Sequence, residues 1–486
     1  MNERKQKFLH ALLPFMAAAL LAVSCTSTAN TMESGAFSVW DGLTPEPSSQ
    51  KFSTYEIKSA AQLAALSKLT SFPEGAVYTL KTNIDLAGHE WKPIGKDSQT
   101  SNRFNGTFNG NGFTIKGLKL PDTQHSGLFG FVRGTKNKNA LIKNLNIELV
   151  TSTLDNGYVH YVGALAGTTL YAELKNISIT GEINIKTASL YAGGIVGNSE
   201  VTSITNSNAR VNITANSLEA ARVGGIAGNN SGKISSCFAI GTIKLESIND
   251  AICGGIVGDT KDLVHASYTN MHIDVITKVQ HSDNFSCELT IAGGIAGYSR
   301  GTISSCYSIG STSVTAAAAS CGASVGGITG RGQTVLSCYA TGDVIAEAKS
   351  KIVQAGGIIG VVNSTSTIER CAALNLNIEA NGIQGSTAGR IAGENKYGNK
   401  PTFTNNVANV TMKVTQAKKV ITSFKADIKH GENIKPELLT GTIFARSDTQ
   451  LKTDTAGNIL SGGLGWNTTE WSLTEKSLPK LKFKTE

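Results

Sequence analysis

With 486 residues, 40% of them hydrophobic and only 16% charged, the chain can bury a large core, which excludes a disordered or coiled-coil protein. Fifty-two glycines against nine prolines, with 6% aromatics, favour many short strands joined by tight turns over helical bundles. The formal charge of +8 includes two units from a basic N-terminus, and no Lys/Arg run with interleaved aromatics occurs, so a nucleic-acid partner is not expected.

Arg4, Lys5 and Lys7 precede an apolar run from Leu9 to Val23, the charge-then-apolar order of a signal peptide over residues 1–25. Leu21-Ala22-Val23-Ser24 directly before Cys25 resembles the lipobox of bacterial lipoproteins. The resemblance implies that Cys25 is acylated and anchors the chain to the outer membrane of the cell envelope, on a face the sequence leaves open. Residues 26–50 are rich in Ser, Thr, Pro and Asn without a hydrophobic period and read as a flexible tether. Lys51 to Ile57 alternates like a strand. Ser59 to Lys68 reads as a short helix with Ser59 as N-cap and Leu63, Leu66 and Leu69 on one face, placed to cap the apolar end of a β-stack. Short apolar pieces separated by Asn-Gly and Gly turns, such as Phe104-Asn105-Gly106-Thr107-Phe108-Asn109-Gly110-Asn111-Gly112, follow it.

From there one unit recurs: small-Gly-Gly-Ile-small-Gly, a polar turn, an Ile-x-x-Cys-Tyr-like strand, a Gly turn and a third alternating strand such as Val344 to Ala346. The closing glycine falls at Gly167, Gly197, Gly228, Gly258, Gly297, Gly330, Gly360 and Gly393, and Gly130 closes a shorter copy. A period of about 30 residues is that of a solenoid coil. The chain is therefore expected to be all-β, a parallel β-helix with three short strands per coil over 51–400, continued by C-terminal coils and a closing segment over 401–486. Ile195, Ile226, Ile256, Ile295, Ile328, Ile358 and Ile391 should stack in its core about 4.8 Å apart.

Gly293-Gly294-Ile295-Ala296-Gly297-Tyr298-Ser299-Arg300-Gly301-Thr302-Ile303-Ser304-Ser305-Cys306-Tyr307 resembles the GLUG motif of bacterial surface proteins. Gly463-Leu464-Gly465-Trp466, with Trp471 and Leu478-Pro479-Lys480-Leu481, is similar to their closing segment. The resemblance implies a right-handed parallel β-helix, the hand also favoured by parallel crossovers generally. It further implies a cell-envelope protein, in a family that includes adhesin-like proteins and the non-catalytic repeats of immunoglobulin A-cleaving metallopeptidases.

Catalytic patterns are sought and not found. His89-Glu90-Trp91-Lys92-Pro93 has proline where a zincin needs its second histidine. Gly297-Tyr298-Ser299-Arg300-Gly301 matches a nucleophile elbow in letters, but it is one copy of the repeat, with Ser299 read as part of a tolerant turn. Asp259 and Asp262 are the nearest approach to a carboxylate pair, in a column otherwise holding Asn198, Asn229, Tyr298, Arg331 and Val361, so a β-helix lyase or glycosidase is the enzymatic alternative. No catalytic, cofactor or metal residue is assigned. Cys237, Cys306, Cys338 and Cys371 share one repeat position, replaced by Ser267 or Asn206 in sister copies, and read as an inward column of free thiols; Cys253, Cys287 and Cys321 lie elsewhere. Beside that column Phe238, Tyr268, Tyr307 and Tyr339 should point outward, a candidate ligand face unless loops around 274–283 and 311–320 cover it. The expected work is non-catalytic binding of host glycoprotein, matrix protein or glycan. The alternative is a structural stalk.

Overall fold

A computed structural model describes residues 36–482 apart from 46–52, 97–101, 156, 158, 279–288, 318–320, 350–351, 396–400, 424–429, 436–437, 439–443, 445–449, 458 and 475–476. Cys25, the leader, most of the tether and Cys287 lie outside the described residues. The chain from Ser38 to Gln416 winds into a parallel β-solenoid. One of its faces is a sheet of nine parallel strands, from His125–Ser126 at one end through Ser189–Gly193 and Leu289–Gly293 to Gly385–Gly389 at the other. The predicted isoleucine column is real: all seven side chains are fully buried. Each of the six backbone N–H groups from Ile195 to Ile358 donates to the matching carbonyl of the next coil, as Ile295 does to Ile328 at 2.8 Å.

Most turns carry four strand segments where the repeat suggests three, because two corners cut them, as in Ser189–Gly193, Val196–Glu200, Ser203–Thr205 and Asn208–Ser217; the turn from Val159 to Thr187 keeps three. At the first corner the first glycine of the Gly-Gly pair ends one strand and the second lies before the next, as Gly193 and Gly194 do between Ser189–Gly193 and Val196–Glu200. The second corner precedes the cysteine column, where Asn144, Asn176, Asn206, Ser236, Ala266, Ser305, Ser337, Arg370 and Asn405 all have φ between 46° and 56°. Asn suits this left-handed conformation best, and the other side chains there must be held in it by their neighbours.

That corner corrects the reading of the cysteine column. Asn206 pairs in register with Ser236, so it belongs to the corner; the true column is Ser207, Cys237, Ser267, Cys306, Cys338, Cys371 and Asn406. Its side chains have one task. Ser267 Oγ accepts from Cys237 N at 3.1 Å, Cys338 Sγ from Cys306 N at 3.4 Å and Asn406 Oδ1 from Cys371 N at 2.9 Å, satisfying the N–H that the corner turns out of the ladder. The four thiols of the column and Cys253 are free and buried, and burial pushes the Cys237 thiol up to about 12. Cys321, by contrast, is disulfide-bonded to a partner outside the described residues. Cys338→Ser should therefore leave the urea midpoint nearly unchanged, whereas Cys338→Val should cost about 1–3 kcal/mol by stranding the Cys306 N–H.

One inward position breaks the apolar rule. His160 occupies the core column that continues as Leu190 and Ala221, is fully buried, and makes no side-chain hydrogen bond among the described residues, with the carboxylate of Asp122 3.8 Å from Nε2. Burial lowers its pKa below the usual 6.5, opposed by Asp122. The unfolded chain takes up this proton as pH falls through about 6.5 while the folded chain does not, so stability is lost on acidification. His160→Leu should stabilise the fold, and thermal melts should show the gain widening from pH 7 to pH 5. A constant gain would mean that folding leaves the ring's proton affinity unchanged, and a narrowing gain that the ring is already charged in the folded protein.

The N-terminal end is closed as expected. The helix Ala60–Ala65, extended by a 3-10 turn to Lys68, has Ser59 as N-cap, with its Oγ accepting from Gln62 N at 3.2 Å, and buries Ala60, Leu63, Ala64 and Ala65. It follows Thr54–Ile57, a strand that among the described residues pairs only with Val77–Leu80 and so ends its column there. The tether is shorter than predicted: Ser38–Val39 pairs with Ile84–Asp85, and Trp40 is buried edge-on against His89 and Trp91. A two-residue strand is too short to register as a period, which is why residues 36–45 read as tether.

At the other end Arg390 stands where earlier corners have their second glycine. A Cβ on any of those glycines from Gly194 to Gly357 would lie within 2.4 Å of the carbonyl one coil on. Among the described residues no strand pairs beyond Gly385–Gly389 in this column, so a side chain fits there. It is buried, and its guanidinium donates to Asn433 Oδ1 at 2.7 Å and Gly431 O at 3.1 Å, fastening the segment beyond the last coil. The chain then reverses in an antiparallel pair, Lys413–Gln416 with Lys419–Ile421. Its last described part lies along the outside of the solenoid.

Candidate functional site

The predicted ligand face forms as a stack but not as an open surface. Phe238, Tyr268, Tyr307 and Tyr339 are in register on successive coils, with ring centroids 5.0, 4.8 and 4.9 Å apart. Tyr307 and Tyr339 are buried, 6% and 3% exposed, beneath the C-terminal segment. Trp471 packs against both rings, Trp466 stacks on Tyr339, and Tyr339 Oη donates to Pro479 O at 2.9 Å. Phe238 and Tyr268 are half-buried. The described cover is formed by Trp466, Trp471 and Pro479; of the loops expected to provide it, residues 279–283 and 318–320 lie outside the described residues, and Tyr307 and Tyr339, being buried, are withdrawn as ligand residues.

The surface that remains is a concave corner on the glycine side. The closing glycine packs outward against the preceding coil: a Cβ on Gly197 would sit 2.4 Å from Val162 N. The outer faces of the two strands that meet there therefore approach each other, and their outward side chains form two facing columns. One runs His125, Tyr161, Tyr191, Arg222, Ile252, Ile291. The other runs Asn198, Asn229, Asp259, Tyr298, Arg331, Val361, the column already legible in the sequence.

The first column begins as a stack: His125 on Tyr161 at 5.0 Å, Tyr161 on Tyr191 at 5.2 Å, and the Arg222 guanidinium 5.3 Å from the Tyr191 ring. Its members touch the second column across the corner. His125 Nδ1 is 2.9 Å from Thr168 Oγ1, and Arg222 Nε is 3.4 Å from Asp259 Oδ2. Asp259 is buried and also receives Arg300 Nη2 on both oxygens, at 2.7 and 2.8 Å. The guanidinium groups of Arg300 and Arg331 lie 5.1 and 5.4 Å from the Tyr298 ring. Arg222, Arg300 and Arg331 are partly exposed and Lys261 is exposed. The arrangement holds positive charge and phenol edges rigidly along a groove. Tyr161, Tyr191 and Arg222 were missed in the sequence because their column turns aliphatic at Ile252 and Ile291.

The motifs weighed for catalysis are placed as follows. His89 packs on Trp40, and the backbone of Glu90 pairs in parallel with that of Lys119 in extended chain. Ser299 lies in a strand rather than a turn; its fully buried side chain shares a column with Ser199, Asn230 and Thr260 and donates to Gly301 O at 3.3 Å. Asp259 is enclosed by arginines, while Asp262 accepts from Leu263 N at 2.8 Å in an exposed turn. Among the described residues no three His, Cys, Asp or Glu side chains converge as a metal site would require.

No protein-family model matches the chain. Over 154 residues it is 34% identical to halomucin of Haloquadratum walsbyi, a match covering 30% of this chain and 2% of halomucin. Over 137 residues it is 34% identical to a protein of Evansella cellulosilytica provisionally named a Gly-rich membrane protein, covering 26% of this chain and 15% of that one. The chain thus spans a small part of either relative's length. Among solved structures, that of a Bacteroides ovatus protein provisionally described as an immunoglobulin A1 protease aligns over 89% of this chain and 93% of its own, at 18% identity and a TM-score of 0.37.

Proposed function

We propose that the chain is a bacterial envelope lipoprotein, held to the outer membrane through Cys25, whose solenoid is a non-catalytic, adhesin-like module binding host glycoprotein, matrix protein or glycan. The carrying observation is the concave corner: an ordered row of phenols, amides and guanidinium groups, partly exposed over successive coils, on a scaffold with little freedom to lose on binding. The burial of Tyr307 and Tyr339 moves the binding face from the predicted stripe to this corner.

The test is binding of the purified full chain to arrayed host glycans, mucin, matrix proteins and immunoglobulin A, with Tyr298→Ala and Tyr268→Ala variants alongside. Selective binding weakened at least about tenfold, some 1.4 kcal/mol, by Tyr298→Ala and not by Tyr268→Ala is expected. No binding to any of them would favour the second reading, a structural stalk, which the covered stripe supports. Breakdown of an arrayed ligand would overturn the non-catalytic assignment. Separately, Cys25→Ser should abolish lipid labelling and membrane retention.

A further inference from the structure

We propose that the ligand of the concave corner is an acidic glycan, with its carboxylate or sulfate groups received by Arg222, Arg331 and Lys261; this rests on the binding-module reading and narrows it. A ring that recognises a neutral sugar or a nucleobase must offer a free face. Here the faces are spent within the protein: Tyr161 lies between His125 and Tyr191, Tyr191 between Tyr161 and Arg222, and Tyr298 beside both Arg300 and Arg331. What the groove presents outward is phenol edges, amides and guanidinium groups. These suit a ligand that is polyhydroxylated and anionic, not one that stacks.

Charge is placed to match. Over the successive rungs of Arg222, Asp259, Tyr298 and Arg331, about 4.8 Å apart, the groove carries Arg222, Lys261, Arg300 and Arg331 against Asp259 and the turn residue Asp262. Asp259 is buried and bonded to two of these arginines, so it fixes them in place while contributing no exposed charge. Acidic side chains lie toward the groove's ends and are engaged by amides: Glu200 accepts from Asn198 Nδ2 at 3.0 Å, and Glu394 accepts from Gln354. The central stretch thus keeps a surplus of partly exposed donors. Their stacking on Tyr191 and Tyr298 reduces the side-chain freedom that a bidentate bond to carboxylate would otherwise have to remove.

The experiment measures binding of the full chain to hyaluronate, which offers carboxylates alone, and to chondroitin sulfate, which adds sulfate. Carboxyl-reduced hyaluronate, dextran and single-stranded poly(dT) are the comparison polymers. The expected result is binding to at least one of the first two, weakened tenfold or more by Arg331→Gln and by Lys261→Gln at an exposed position, with thermal midpoints unchanged and Tyr268→Ala without effect. Which of the two binds tells carboxylate from sulfate. Equal binding to reduced hyaluronate or dextran would overturn the acidic ligand while leaving the binding module standing. Preference for poly(dT) would replace the glycan by a nucleic acid. Binding to none of these polymers, when the wider array does detect a ligand, would refute this inference alone.

Discussion

Gly293→Ala should destabilise the chain by about 3 kcal/mol or more, at the upper end of what overpacking costs, although it adds one methyl group. A Cβ there would lie 2.1 Å from Ala296 O, 2.6 Å from Thr329 Cα and 2.7 Å from Gly330 N. All three atoms are backbone, in the same coil and the next, so no side-chain rotamer change relieves the clash and the coils themselves must separate. The same position is glycine in nine successive copies: Gly127, Gly163, Gly193, Gly224, Gly254, Gly293, Gly326, Gly356 and Gly389. Because each coil is stabilised by its neighbours, a gap opened in the middle weakens both halves. Urea unfolding measures the loss, and Gly385→Ala is the control. At Gly385 the nearest atom to a new Cβ is Ile352 Cγ1 at 3.8 Å, so the substitution should be neutral or slightly stabilising. Equal midpoints for the two variants would show that close approach is not why glycine stands in this column.

How much of this was legible follows from what enforces each residue. The isoleucine and glycine columns were read directly, since a buried stack and a backbone contact tolerate few side chains. The left-handed corner was not read: its residues run from Asn206 through Ala266 to Arg370, because the surrounding ladder imposes the conformation whatever the side chain. One wall of the concave corner, Asn198 to Val361, was recovered as a column from spacing, yet its meaning depends on Tyr191 and Arg222 opposite, which only the bend brings near. The direction of the tyrosine stripe relative to the cysteines was inferred from strand alternation. Its cover was not, because Trp466 and Trp471 lie more than 120 residues beyond Tyr339 and belong to no repeat.

That cover makes the second large prediction. Trp466→Ala should cost about 3–5 kcal/mol locally, the range for deleting a buried tryptophan. Trp466 is 2% exposed, packs on Phe444 and Trp471 at 4.5 and 4.6 Å, and donates from Nε1 to Arg370 O at 2.8 Å. Its apolar cluster, with Tyr307, Tyr339, Leu374, Val407, Ile434, Leu451, Leu464 and Leu481, is separate from the cluster that fills the solenoid. The two need not melt together. The variant should lose hydrogen-exchange protection over residues 450–481 while the isoleucine column stays protected. Two phenols should also change their titration. Burial raises Tyr307 and Tyr339 above the ordinary value of 10.0, so uncovering them should bring their ultraviolet ionisation back toward it. If exchange instead rises together in the segment and the isoleucine column, the C-terminal segment is part of one cooperative unit, and the tyrosine stripe is a second core.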